Sequence, residues 1–177
     1  MSLAPGGVGV GRGVFAVAGS PRRWMRPVLA VLRRQGVLAP GRHEHLPFTV
    51  RNTLDADGVL RAERTFRFPR GPFTMHDAVR LDRGRLVDDL GRAARYRATL
   101  DASAERGALV LRSTGCAVRV GRRHLPLPRL LAPVVRVHER FDEAAGRQHV
   151  DLRLEHPVLG LLYEYRGSFE YETEGIG

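Results

Sequence analysis

The sequence predicts a mainly β protein, an antiparallel barrel-like sheet of the calycin or lipocalin kind with about 9–10 strands and one amphipathic α-helix after the first strand. Three observations predict it. From His45 onward, runs that alternate apolar and polar residues are separated by turn signals at roughly 8–14 residue spacing, the rhythm of a sandwich or barrel. Only one segment, from Ser20 to Gly36, carries apolar residues at helical spacing. The chain has 177 residues, 43% of them hydrophobic, which suits a single domain over 1–177 with one core.

Val8 to Val17 combines small and β-branched residues with several glycines and reads as a first strand whose glycines permit twist or close backbone approach. Residues 1–6 are expected to be disordered and 7–172 to form the barrel-like core. Ser20 and Pro21 supply a helix start. Trp24, Met25, Val28, Leu29, Val31 and Leu32 then form an apolar face with arginines opposite, until Gly36 and Pro40 end the helix. A first hairpin follows: Phe48, Val50, Asn52 and Leu54 alternate with polar residues, Asp55 to Gly58 turn, and Leu60, Ala62, Arg64, Phe66 and Phe68 return. Further strands are expected at Phe73–Leu81, Arg85–Leu90, Arg95–Leu100, Ala108–Thr114, Cys116–Val120, Val134–Phe141, Gln148–Glu155 and Leu159–Tyr171.

Composition narrows the function classes. No apolar run approaches the roughly 18–20 residues of a membrane-spanning helix, and the Gly-rich start lacks the pattern of a secretory signal, so a cytoplasmic location is expected. The single cysteine, Cys116, excludes an internal disulfide and any multi-thiolate metal cluster, and its setting reads as a small buried residue. The net charge of +10 points formally to nucleic acid or an anionic surface. All 29 basic residues are arginine, however, and Ile occurs only at Ile176, the footprint of a GC-rich, actinobacterial type of genome. The arginines are interleaved with acids in most strands and lack a stripe of stacking aromatics, which disfavours nucleic acid. The densest group, from Arg22 to Arg34, reads as the solvated face of the helix and leaves room only for weak contact with a membrane surface. The glycines around Gly7 and Gly9 precede a strand instead of joining strand to helix, so they make no dinucleotide loop, and no lysine exists to build a P-loop. The histidines form no metal-binding pair, and neither a metal nor an organic cofactor is expected.

Alternation identifies polar residues that share a face with apolar ones. Asn52, Arg64, Asp77, Asp88 and Glu139 all fall on such registers, as do Tyr96, Tyr163 and Tyr165 beside Phe66 and Met75. A carboxylate facing an apolar interior is costly unless paired, and its raised pKa suits general acid–base work. Glu139, Asp88, Asp77 and Arg64 are therefore candidate catalytic residues. Tyr96, Tyr163, Tyr165, Asn52, Phe66 and Met75 are candidates for contact with the substrate. The competing reading makes these groups a structural ion-pair network, or lets a bulge turn one acid to water.

The segments GSPRRWMRPVLAVLRRQGVLAPG at Gly19 to Gly41, LPLPRLLAP at Leu125 to Pro133 and HPVLGLLYEYRG at His156 to Gly167 resemble the bacterial domain of unknown function 4166 family, across residues 7 to 172 or so. Members of that family often follow a saccharopine-dehydrogenase-like reductase module. The resemblance implies kinship and supplies no catalytic residue. With an apolar interior, sparse acids and no cofactor motif, the expected function is a cofactor-independent cyclase or isomerase acting on a lipophilic metabolite, in bacterial secondary metabolism. The alternative is a non-catalytic carrier of a lipophilic ligand, or an accessory domain for a reductase.

Overall fold

The computed structural model describes residues 5–174, and for Glu174 the backbone alone. The strand β1 (Val8–Gly19) leads into a 3-10 turn (Arg23–Met25) and the helix α1 (Arg26–Arg34). Ten strands follow: β2 (Arg42–Leu54), β3 (Leu60–Phe68), β4 (Gly71–Asp82), β5 (Arg85–Leu90), β6 (Tyr96–Glu105), β7 (Ala108–Val120), β8 (Arg123–Pro126), β9 (Val134–Asp142), β10 (Arg147–His156) and β11 (Gly160–Glu174). All but β8 join in one closed antiparallel ring, in the order β1 to β7, then β9, β10 and β11, which returns to β1. Closure removes the unpaired edges that an open sheet would expose.

Two boundaries differ from the sequence expectation. Ala108–Thr114 and Cys116–Val120 are one strand, β7, because Gly115 continues the ladder opposite Thr99. The first half of β7 pairs with β9 and the second half with β8, a short strand ending in Pro126 that the sequence did not announce. The helix also starts later than expected. Ser20 Oγ accepts the Arg22 N–H at 3.1 Å, but regular helix begins at Arg26 with Pro27, not Pro21, in its first turn. The expected disorder at residues 1–6 lies for residues 1–4 outside the described residues; Gly6 is held, its N–H donating to Leu54 O at 2.8 Å.

The barrel has unlike ends. The turns β2–β3, β4–β5, β6–β7 and β9–β10 gather at one, and α1 with the remaining connections at the other. Met25 and Leu29 on the helix and Val37, Leu38 and Ala39 after it are buried against Phe15, Phe66, Phe73, Met75 and Tyr163, so the core fills this second end and plugs it. Trp24, Val28 and Val31, expected in the core, are instead about half exposed. They occupy positions i, i+4 and i+7, a stripe turned away from the one formed by Met25, Leu29 and Leu32.

Glycine opens the wall of β1. Gly9, Gly11 and Gly13 point inward, where a side chain would strike the strand-crossing rings of β11. A Cβ on Gly11 would lie 2.6 Å from Val50 Cγ1 and 2.7 Å from the Phe169 ring, and one on Gly13 would lie 2.1 Å from Ser168 O. Phe169 and Tyr171 thus lie flat over bare backbone. Gly13→Ala is expected to lower stability in urea unfolding by about 1–3 kcal/mol, the usual range for overpacking. Gly115→Ala, with nothing within 4 Å of the added carbon, is expected to be close to neutral; equal effects at both positions would remove the steric account.

Candidate functional site

Inward alternation on β3 presents Leu60, Ala62, Arg64 and Phe66, and on β4 Phe73, Met75, Asp77 and Val79. The register sets Arg64 opposite Met75 and Asp77 opposite Ala62, so the guanidinium and carboxylate are diagonal neighbours on one face. Arg64 Nη1 donates to Asp77 Oδ1, and the Asp77 side chain is only 5% exposed. Asp88 stands opposite Val79 on the next strand, diagonal to Asp77. Glu139 comes from the opposite wall, where β9 places it between Leu109 and Val150. Tyr165 rises from β11 with its ring 4.9 Å from Phe15 and 6.4 Å from Phe66.

Above these rings lies a cavity of about 750 Å³ that opens at the end away from the helix. Its wall is largely apolar, with Phe48, Val50, Leu60 and Phe169 among its members. Arg64, Glu139, Tyr165 and Asn52 bring polar groups into it. The size falls within the usual range for small-molecule sites. Leu109 and Phe141 stand at the rim, 43% and 57% exposed.

Burial governs the chemistry of the acids. It pushes the Asp77 carboxyl up against the pull of Arg64. Asp88 is pushed up to about 8 by burial and by the charge of Asp77, with Arg64 offsetting only part; near neutral pH it is mostly a neutral acid. Its Oδ1 is buried with no hydrogen-bond partner. Burial also raises Glu139, partly countered by Arg64. The Arg64 charge is opposed by burial but favoured more strongly by Asp77 and the groups around it, so it remains a cation. Tyr165 is pushed up to about 12, chiefly by burial, and stays a donor. No ion pair or side-chain hydrogen bond engages Glu139 among the described residues, which leaves its carboxyl free toward the cavity.

The candidates named from alternation separate into two groups. Arg64, Glu139, Tyr165 and Asn52 face the cavity. Asp77 and Asp88 do not line the cavity and act on it through their charge on Arg64. Phe66 and Met75 lie in the core beneath the floor, Tyr163 is fully buried in the plug, and Tyr96 packs on the edge of the core, so these four do not line the cavity; the core fills their end of the lumen. Asn52 donates through Nδ2 to the Tyr171 hydroxyl at 3.0 Å. Tyr171 and Gln148 also line the cavity and were missed, although Tyr171 continues the inward series Tyr165, Gly167, Phe169.

One buried acid belongs to the other face of the sheet. Asp89 points outward, and Arg80 and Arg97 both donate to it, the latter through Nε at 2.7 Å and Nη2 at 3.1 Å. Burial opposes its ionisation, but these hydrogen bonds hold it below the ordinary carboxylate range. This is a structural ion-pair network of the kind weighed for the interior acids. Cys116 is half-buried, its thiol donating to Pro133 O at 3.3 Å and pushed up by burial, in keeping with the inert reading. Among the described residues no three of His, Cys, Asp and Glu converge to hold a metal ion.

The family described as Domain of unknown function (DUF4166) matches residues 1–169. The chain belongs to that family. A similar curated protein is the Uncharacterized protein YndH of Bacillus subtilis (strain 168), 26% identical over 144 residues, which span 74% of this chain and 67% of YndH. No solved structure matches the chain. Among the described residues no helix is long and apolar enough to cross a membrane.

Proposed function

We propose that this member of the DUF4166 family binds a lipophilic small molecule in its barrel, in the cytoplasm, and catalyses a cofactor-independent proton transfer on it, an isomerisation or cyclisation of the kind used in bacterial secondary metabolism. The observation that carries the reading is the Glu139 carboxyl, raised by burial and free of internal partners, on the wall of a large apolar cavity that also holds Arg64 and Tyr165. In its ionised form Glu139 takes a proton from carbon next to a substrate carbonyl. The developing oxyanion is met by the Arg64 guanidinium and the Tyr165 hydroxyl, and Glu139 returns the proton at another carbon. The step requires no redox partner.

The test uses a panel of lipophilic β,γ-unsaturated ketones in deuterated water, with deuterium incorporation followed by mass spectrometry. Exchange catalysed by the natural chain is expected to fall about 10²–10⁴-fold in Glu139→Gln, while displacement of a bound fluorescent lipophile is retained. The rate in the natural chain is expected to rise with pH through the raised pKa of Glu139, since only the carboxylate accepts a proton. Tight binding without exchange for any member of the panel would favour the carrier or accessory-domain reading and overturn the catalytic one.

A further inference from the structure

The closed end of the barrel carries a surface that ligand binding does not use. Trp24, Val28 and Val31 form one stripe along the outer side of the α1 region, 51%, 44% and 51% exposed. Arg23 and Arg34 border it, while Arg26 and Arg33 lie round the far side of the helix, all four exposed. Arg22 donates from Nη2 to Leu159 O at 3.2 Å and from Nε to Leu161 O at 3.3 Å, which fastens the β10–β11 turn beside the start of the helix. That turn adds Val158, 76% exposed, to the same end.

Charge is segregated along the barrel axis. No Asp or Glu precedes Glu44 in the sequence. The other turns at the helix end contribute Arg70, Arg92, Arg95, Arg122 and Arg123. Acids at this end include Glu44, exposed near the start of β2, Glu155, 3.8 Å from Arg136, and the buried Glu164, paired with Arg42 at 2.8 Å. At the mouth the turns and the strand ends beside them instead hold Asp55, Asp57, Asp82, Glu105, Asp142 and Glu143, with Arg83, Arg85, Arg106 and Arg147 among them. An exposed aliphatic stripe with a tryptophan, bordered by Arg23 and Arg34 and with no acid in its own segment, combines apolar insertion with attraction to anionic headgroups. A nucleic acid would be served by the arginines but leaves the valines without a partner.

We infer that the closed end of the barrel docks on an anionic lipid surface, with the Trp24–Val28–Val31 stripe entering the headgroup region and the cavity mouth facing water. Trp24 is the only tryptophan in the chain, so its fluorescence reports the event directly. The full chain is mixed with vesicles of phosphatidylcholine alone and with vesicles in which about one lipid in three is phosphatidylglycerol, at low and high salt. A blue shift of Trp24 emission and co-sedimentation are expected with the anionic vesicles at low salt, and quenching by brominated lipid places the ring in the headgroup region. Arg23→Glu/Arg34→Glu is expected to weaken partitioning by about tenfold or more. Val28→Ser/Val31→Ser is expected to weaken it while retaining the reporter; far-UV circular dichroism checks that these surface variants keep the fold. Equal behaviour toward neutral and anionic vesicles, no binding at low salt, or capture by duplex DNA in place of vesicles would overturn the inference.

Discussion

Arg64→Met is expected to lower the unfolding free energy at neutral pH by about 3–5 kcal/mol, the usual cost of leaving one member of a buried ion pair alone. The cause is Asp77, whose side chain is 5% exposed and whose partner is the Arg64 guanidinium. Removing the cation also strips Asp88 and Glu139 of the positive charge that moderates both. Arg64→Met/Asp77→Leu is therefore expected to regain most of the loss, because an apolar pair of similar volume has no charge to desolvate. Urea unfolding of the natural chain and the two variants measures both quantities. The defect of the single variant is expected to shrink on acidification, as the stranded carboxyl takes a proton. A single variant as stable as the natural chain would mean that Asp77 is already neutral in the fold and that the pair holds nothing in place.

Asp88→Asn is expected to stabilise the protein, by about 2–4 kcal/mol at pH 7, and by little at pH 4. The sign follows from linkage. The carboxyl is pushed up to about 8 in the fold from an ordinary value of 3.8. Between those values the folded chain keeps a proton that the unfolded chain has lost, so stability declines as pH rises through the window, at up to about 1.4 kcal/mol per pH unit. The amide cannot ionise and removes that slope. Partial exposure of Asp88 trims the effect below the full integral, hence the lower end of the range. Thermal melts of both proteins across pH 4 to 9 check it; parallel curves would show that Asp88 ionises in the fold as readily as in the unfolded chain.

The strands β2 to β4 were legible because each alternates, and parity extended through β5 placed Arg64, Asp77 and Asp88 on one inner wall. It also placed Glu139 correctly, four strands away in sequence, since facing depends only on local parity. Parity says nothing about depth along the barrel. That is why Tyr163, Phe66 and Met75, inward-facing as read, lie in the plug and not beside the cavity. Depth is set by where the helix seats, and the helix itself misled: six apolar residues in nine looked like one wide face, whereas two stripes serve different surroundings. Asp89 escaped notice because its partners in register, Ala78 and Arg97, gave no sign that an outward acid would be covered. The short β8 was hidden by prolines that tolerate a strand only at its margin, where β8 lies.

The pairing of β1 with β11 has a consequence for how the molecule comes to be made. One edge of the glycine-rich first strand meets β2 almost at once, but its other edge must wait for a partner about 150 residues further along the chain, from Gly167 opposite Phe15 to Glu174 opposite Val8. Through most of synthesis the nascent sheet is an open, growing ribbon with a sticky margin. The seam can shut only once the last of the barrel's strands is made and lays Phe169 and Tyr171 on the bare glycines, so ring closure is expected to be a late step.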